Sequence, residues 1–453
     1  MVDPAIEDLH ALDREVALAA TALSSWRNGL LLDWQAHSQE NPFVGVRRAA
    51  GKSTMDALEA LQPSAADRPL RDALSSWVKA LVLGRTGMVG DIAWAHSAMT
   101  QNVRFEGEPP RQVNWLDAWR GLASASTIAE AQLWLRSAGD LAEPLAAVER
   151  TRAERSLEVA RRLGLSHPWE AFVGEKRGDL SAAAFRLLAR TDDLSRAVWQ
   201  DALSGAGAAA VFHSSLAREC ADGWPARLSF SWLRDAFRGE PHDLTLNMPS
   251  FPQASGAATF ARALEAFGSA LASANAPRWL PFALAHEPGG LEGHRLGFVF
   301  GSLPSQPIFH TKVLRLSARL AQRQSRILAR SALLHVRLHA ARIILGADLS
   351  PSAKSLFEEI TERLFGKPLN AALHPAWPAA RPDEAARFVA LLEARAVAEE
   401  MRDRYDADWF HNPRAWVHLQ APSPFGPRKP PSSEDDLLRA ADGLAVTFEG
   451  WLG

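Results

Sequence analysis

The 453-residue sequence contains a single cysteine, Cys220, and a single tyrosine, Tyr405. One cysteine excludes a disulfide framework and a cysteine-based structural zinc site, and it suits a reducing cytoplasm. No uninterrupted apolar run reaches the roughly 20 residues that span a bilayer, and the acidic, amphipathic N-terminus lacks the pattern of a signal peptide. The 50 basic and 52 acidic residues nearly cancel, so no broad basic surface is expected. We therefore expect a cytoplasmic protein that binds neither nucleic acid nor a membrane.

Apolar residues recur at helical spacing along most of the chain, whereas alternating, strand-like runs are scarce. This periodicity predicts a mostly α fold. The predicted helices cover about residues 4–37, 54–63, 67–83, 86–99, 112–122, 126–137, 140–163, 178–189, 192–204, 227–238, 256–274, 310–346, 350–365, 382–404, 412–419 and 433–450. Two segments are predicted to be extended, Asp243–Met248 and Leu296–Phe300. A proline-rich stretch over 421–432 is predicted to be a linker before the last helix.

Two short patterns could carry chemistry, and each has an ordinary structural explanation. Residues 45–53, GVRRAAGKS, place five residues between the first glycine and Gly-Lys. A phosphate-binding loop needs four, so no nucleotide site is predicted. His335 and His339 stand at i and i+4, but Val336 follows the first histidine where the helical zinc motif has glutamate. Apolar neighbours favour histidines that pack inside the protein.

The sequence EAFGSAL, which begins at Glu265, resembles the F-H-E-F-G-H-A-L core of the oligoendopeptidase F and thimet oligopeptidase family of zinc metallopeptidases. In this resemblance Glu265 takes the place of the first zinc histidine, Ala266 that of the catalytic glutamate and Ser269 that of the second zinc histidine. The sequence LGFVF further on is similar to the family's E-G-F-A-F, whose glutamate is the third zinc ligand. Leu296 takes that place.

The resemblance extends over most of the chain. Similar segments are the N-terminal PAIEDLHALDREVALAATAL, residues 128–203, residues 337–342 and residues 387–415. The resemblance implies a mostly α, elongated, two-lobed peptidase-like fold with a central cleft. We expect an N-terminal helical lobe over 1–205 and a degenerate peptidase-like helical lobe over 206–453. The β-sheet is expected to be reduced or missing, because 232–260 leaves little room for the sheet that pairs with peptide in family members.

The replaced positions predict that the zinc chemistry is lost. Zinc hydrolysis needs three ligands, an open position for water and a base; Glu265 is one possible ligand, and Ala266 cannot act as a base. The family's oxyanion-stabilising tyrosine falls on Phe388, and the loss of such a donor costs orders of magnitude in rate. We therefore expect a catalytically inactive pseudopeptidase without zinc that binds or scaffolds a peptide or protein. The residues expected to line the former channel are Glu265, Ser269, His294, Arg337, His339 and Phe388.

An alternative is a metal-dependent hydrolase that has rebuilt its site from other side chains. The segment HEPGGLEGH places two histidines and two carboxylates within nine positions. Pro-Gly-Gly prevents a helix there, so we expect a solvated loop, and any metal site would have to be built from that loop. The candidate ligands are His286, Glu287, Glu292, His294 and His339. They would have to converge within about 2.0–2.2 Å of one ion. A third interpretation is a helical protein unrelated to peptidases, which would have no long cleft.

Overall fold

The computed structural model describes residues 8–173, 179–199, 205, 207–212, 220–225, 232–233, 236–237, 256–347, 353–377, 383–420 and 433–453. Within these ranges the fold is mostly α-helical, and the sheet that they contain has only two strands. A mostly α fold with a reduced sheet is therefore confirmed. No helix in these ranges is both long enough and apolar enough to cross a membrane. The predicted strand at 243–248, the linker at 421–432 and most of the predicted helix 227–238 lie outside the described residues.

The elements fall into two runs along the chain. The first run is α1 (Leu9–Leu32), α2 (Trp34–His37), α3 (Lys52–Ala60), α4 (Arg68–Thr100), β1 (Val103–Phe105), β2 (Arg111–Val113), α5 (Trp115–Ser124), α6 (Ile128–Arg162), α7 (Glu170–Val173) and α8 (Leu180–Trp199). The second run is α9 (Gly256–Ala274), α10 (Phe282–Ala285), α11 (Leu291–Gly301), α12 (Pro307–Lys312), α13 (Ala318–Ala347), α14 (Lys354–Phe365), α15 (Glu384–Tyr405), α16 (Pro413–Gln420) and α17 (Glu434–Leu452).

Several helices begin at side chains that cap their free amide groups. Asn114 and Asp117 form a capping box at the start of α5, in which each side chain accepts a hydrogen bond from the other's backbone N–H. Thr127 accepts from the N–H of Glu130 at the start of α6, at 3.2 Å. Ser433 caps α17 in the same way. These polar residues explain why the three helices begin where they do.

The predicted break in α4 and the predicted break in α6 are both wrong. One continuous helix covers 68–100 and another covers 128–162. Gly84 lies inside α4, where a Cβ atom would come within 2.5 Å of Leu23 Cδ2 on α1. The glycine therefore permits close helix packing and does not end the helix. Pro144 also lies inside α6 without ending it.

The segment Leu296–Phe300 is helical, so its prediction as an extended segment is also wrong. It belongs to α11, and all five of its residues are buried. A short, continuous apolar run reads equally well as a buried strand or as a buried helix, because neither shows an exposed face. The structure also contains a hairpin that the sequence did not predict, with β1 and β2 in antiparallel register, Val103 opposite Val113.

Two large hydrophobic clusters form the core. One cluster draws mainly on α1, α3 and α4, and the other extends from α5 to α17. Hydrogen bonds tie the start of the chain to the segment before α11. Asp13 on α1 accepts from the N–H groups of Phe282 and Ala283, both at 2.8 Å, and Trp77 Nε1 donates to the carbonyl oxygen of His286 at 2.8 Å.

Arg337 is a fully buried charge that joins three helices. From α13, its Nη1 atom donates to the carbonyl oxygen of Leu188 at 3.0 Å and to Thr191 Oγ1 at 2.6 Å, both on α8. Its Nη2 atom donates to Asp192 Oδ1 at 2.8 Å and to the carbonyl oxygen of Arg363, on α14, at 2.6 Å. Buried charges are tolerated when they are paired and hydrogen-bonded in this way.

Replacing this arginine should be costly. We expect Arg337→Met to lower the free energy of unfolding by about 3 kcal/mol, because it removes all four of these hydrogen bonds to α8 and α14. Urea denaturation followed by circular dichroism measures the change. Arg330→Met, an exposed arginine on the same helix, is the matched control and should change stability by less than about 0.5 kcal/mol. Equal losses in the two variants would contradict the role of Arg337.

Candidate functional site

Helices α9 and α11 pack against each other almost backbone to backbone. A Cβ atom on Gly297 would lie 2.6 Å from Ser269 Oγ and 2.9 Å from the carbonyl oxygen of Glu265. A Cβ atom on Gly268 would lie 2.4 Å from the carbonyl oxygen of Leu296. Only glycine fits at such distances. The two segments that carry the resemblance to zinc peptidases are therefore direct neighbours in space.

The side chains at the positions of the family's zinc ligands do not fit a zinc ion. Ser269 Oγ donates a hydrogen bond to the carbonyl oxygen of Gly293 at 2.8 Å. Leu296 is buried in the larger core cluster. Glu265 alone offers a charged ligand atom, and a zinc site needs at least three protein ligands. Ala266, at the position of the family's catalytic base, has no proton acceptor on its side chain.

A row of two histidines and two carboxylates runs across α9, α13 and α15. Glu265 Oε2 lies 3.9 Å from His335 Nε2, and His335 Nε2 lies 3.2 Å from His339 Nε2. His339 Nδ1 lies 2.5 Å from Glu384 Oε1. His339 and Glu384 are both 2% exposed, whereas His335 is 40% exposed. The row therefore leads from a buried hydrogen-bonded pair to a surface that solvent reaches.

The two carboxylates of this row have opposite electrostatic environments. Burial raises the pKa of Glu384, but the hydrogen bond from His339 and nearby positive charges outweigh it, so the pKa lies below its usual value. Burial also raises the pKa of Glu265, and the charges of His339, Arg387 and Arg262 do not fully offset it. Glu384 therefore holds its charge more readily than Glu265. Pairs of acids whose pKa values are pushed apart are common at functional sites.

His294 lies one turn inside α11, 3.9 Å from Asp383 Oδ2. Burial and the neighbouring charge of Arg387 lower the pKa of His294 to about 4. The predicted solvated loop is wrong for this part of the segment. The loop covers 286–290, and α11 begins after Gly290, whose φ of 62° is in the left-handed region.

A cavity of about 140 Å³ opens beside Glu265 and His335. Helices α9, α11, α13, α15 and α17 supply most of its walls. Its large apolar lining residues are Phe298, Leu328, Leu391, Leu444, Phe448 and Trp451. Its charged or titratable lining residues are Arg262, Glu265, His335, Arg395, Glu399 and Arg402. An apolar cavity with a few polar groups is the usual form of a ligand site.

The structure separates the residues that the sequence grouped as channel-lining. In the described part of the chain, Glu265 is the one member of that group that lines this cavity. Arg337 and Phe388 are fully buried, and His339 is almost so. His335, Arg262 and Arg395 line the cavity but were missed as site residues. Their positions depend on how α13, α15 and α17 meet, and no local sequence pattern indicates that.

The alternative metal ligands are likewise dispersed among different partners. His286 accepts a hydrogen bond from Trp77 through its backbone, Glu292 forms an ion pair with Arg295, and His339 bonds Glu384. Among the residues that the structure describes, no three histidine, cysteine, aspartate or glutamate side chains form a group that could hold a metal ion.

The His339–Glu384 pair should contribute strongly to stability. We expect His339→Ala to lower the free energy of unfolding by about 3 kcal/mol at pH 7, because it leaves the buried Glu384 carboxylate without its hydrogen-bond donor. His335→Ala, on the same helix but half exposed, should cost less than about 1 kcal/mol. Urea denaturation of both variants measures the difference. A His335→Ala loss as large as that of His339→Ala would be evidence against this assignment.

His294 should make stability depend on pH. The unfolded chain takes up a proton at this side chain near pH 6.5, while the folded protein keeps it neutral down to about pH 4. This contribution to stability is therefore present above pH 6.5 and is lost as pH falls towards 4. We expect His294→Gln to flatten the pH dependence in that window by about 1 kcal/mol per pH unit. Urea denaturation at several pH values tests this, with the exposed His10→Gln as control. Unchanged slopes in His294→Gln would refute it.

No protein-family model matches the sequence, and no curated protein matches it either. By structure, the chain is similar to a crystal structure assigned to an oligoendopeptidase F from Bacillus anthracis str. Ames, with a TM-score of 0.51 over 92% of this chain and 88% of that chain. Sequence identity is 10%, so this likeness shows the fold and does not transfer an activity. The predicted peptidase-like helical fold is thereby confirmed.

Proposed function

We propose that this protein binds peptide segments without hydrolysing them, in the cavity beside Glu265 and His335. The proposal is supported by which side chains occupy the positions where a zinc peptidase of similar fold would bind its metal, and by what those side chains contact. The Ser269 hydroxyl donates a hydrogen bond to the Gly293 carbonyl oxygen, and Leu296 is buried in the core. Helices α9 and α11 are thus held together by packing and by the hydrogen bond from the Ser269 side chain to the backbone of Gly293.

The other parts of a hydrolytic site are also replaced. Ala266 has no group that could take a proton from water. Phe388 has no hydroxyl and is fully buried, so it cannot donate a hydrogen bond to a developing oxyanion. Tyr405 lies at the end of α15, with its ring 5.8 Å from that of His418, and does not line the cavity. These replacements favour binding over catalysis.

The cavity has the properties that peptide binding requires. Its apolar walls can take up side chains, and its polar groups can satisfy peptide N–H and C=O groups. The structural neighbour is assigned as an oligoendopeptidase, and a protein that keeps such a fold while losing the hydrolytic residues would keep a surface suited to peptides. The partner we propose is therefore a peptide or an unfolded protein segment, and no zinc takes part.

The test combines metal content, binding and cleavage. Protein without a histidine tag, grown with added zinc and purified without chelator, should contain almost no zinc by mass spectrometry. It should bind members of a fluorescent peptide library in anisotropy assays, equally with and without 1,10-phenanthroline. The same peptides should remain intact by mass spectrometry. Cleavage that the chelator abolishes, or a failure to bind any peptide, would overturn the proposal.

A cavity-filling variant links binding to this site. We expect Ala398→Trp, on the cavity wall, to weaken peptide binding at least about tenfold, because an indole would occupy the space of a ligand side chain. Ala396→Trp is the matched control, since Ala396 is exposed on the same helix and should bind as the wild type does. Thermal melting of both variants shows that they are folded. Wild-type affinity in Ala398→Trp would place the peptide elsewhere.

A further inference from the structure

The charges on the cavity wall do not balance. Three arginines line it, Arg262 on α9 and both Arg395 and Arg402 on α15. Of the two lining carboxylates, Glu399 lies 2.7 Å from Arg395 Nη2 and 3.9 Å from Arg402 Nη2. Glu265 is the other, and burial opposes its ionisation. The wall therefore carries an excess of positive charge, which favours an anionic ligand.

Arg395 presents a donor that no described residue uses. Its Nη2 atom is paired with Glu399, but its Nε atom is buried and has no hydrogen-bond acceptor among the described residues. The guanidinium lies directly against α17, where a Cβ atom on Gly443 would come within 2.4 Å of Arg395 Nη1. Because Nη2 is paired and Nη1 lies against α17, the Nε–H is the donor left to bond one oxygen of a carboxylate.

The surroundings of Arg395 are apolar. Leu391, Leu444 and Phe448 line the same cavity from α15 and α17. A ligand that bonds Arg395 would therefore place an apolar group against these side chains, removing apolar surface from water. An inorganic anion bound at Arg395 would make no contact with these apolar side chains.

We propose that the cavity binds the C-terminal residue of a peptide, with its free carboxylate on Arg395 and its apolar side chain among Leu391, Leu444 and Phe448. This inference rests on the proposed function, and it specifies which part of the peptide enters the cavity. An internal peptide segment carries no backbone charge to match the arginines. A fatty acid shares the carboxylate and the apolar body. However, the wall also carries Ser302, Gln306 and Ser331, whose polar groups suit peptide amides better than an alkyl chain.

A pair of peptides that differ only at the C-terminus tests the inference. Hexapeptides that end in leucine or phenylalanine, labelled with fluorescein at the N-terminus, are prepared as free acids and as amides. We expect the free acid to bind at least about tenfold more tightly, which is the usual effect of a hydrogen bond to a charged group. Dodecanoate and N-acetyl-phenylalanine are then compared as competitors, and N-acetyl-phenylalanine should compete more effectively.

Two variants test whether Arg395 causes the preference for the free-acid peptide. Arg395→Gln should weaken binding of the free acid about tenfold, leave the amide unchanged and so abolish the preference. Arg404→Gln is the matched control, since Arg404 lies on the same helix, pairs with Glu400 at 3.1 Å and does not line the cavity. It should keep the full preference for the acid. A merely structural role for Arg395 predicts equal losses for acid and amide, and that result would overturn the inference.

The remaining outcomes separate this inference from the proposal beneath it. Equal affinity of acid and amide peptides for the wild-type protein would overturn the inference and leave peptide binding intact. Absence of binding for both peptides, and for the wider library, would overturn both. Competition by dodecanoate with no competition by N-acetyl-phenylalanine would show that the occupant is a fatty acid, which also overturns the inference.

Discussion

The close contact of α9 and α11 is the constraint on which the arrangement of the site depends. The glycines at 268 and 297 let the two backbones approach within distances that no side chain allows. This contact fixes the direction of the residues between them. Ser269 points at the backbone of α11, and Glu265 extends past Gly301 to the wall of the cavity. The same helices thus form part of the core and one side of the candidate binding site.

The pKa values of the two carboxylates in the site depend on the surroundings of each side chain next to the α9–α11 contact. His339 and Glu384 are buried together, so the carboxylate is stabilised in its charged form by a short hydrogen bond. Glu265 lies at the cavity wall, where burial outweighs the charges of His339, Arg387 and Arg262, so its pKa is raised. In the row of Glu265, His335, His339 and Glu384, the carboxylate at the buried end therefore holds its charge more readily than the carboxylate at the cavity. The arginines supply the positive charge of the cavity wall.

The sequence predicted the helices well and the site only in part. Apolar periodicity located most helices, because each buries one stripe of side chains. It wrongly ended helices near Gly84 and near residues 138–139. Gly84 serves close packing, and such a glycine looks the same in sequence as one that ends a helix. Residues 296–300 were misread because a fully buried run has no polar face. The resemblance located Glu265. It could not indicate His335 or Arg395, whose role depends on the packing of α17 against α13 and α15.

The positions that the resemblance aligns with zinc ligands are coupled to one another through this packing. A glutamate in place of Leu296 would put a carboxylate into an apolar cluster, which costs several kcal/mol unless a cation is held beside it. A histidine in place of Ser269 would lose the hydrogen bond to Gly293 and would require new space against α11. Each ligand is therefore unfavourable without the others and without the ion. With serine and leucine at these positions, α9 is instead held against α11 by packing and by the hydrogen bond from Ser269 to the Gly293 carbonyl.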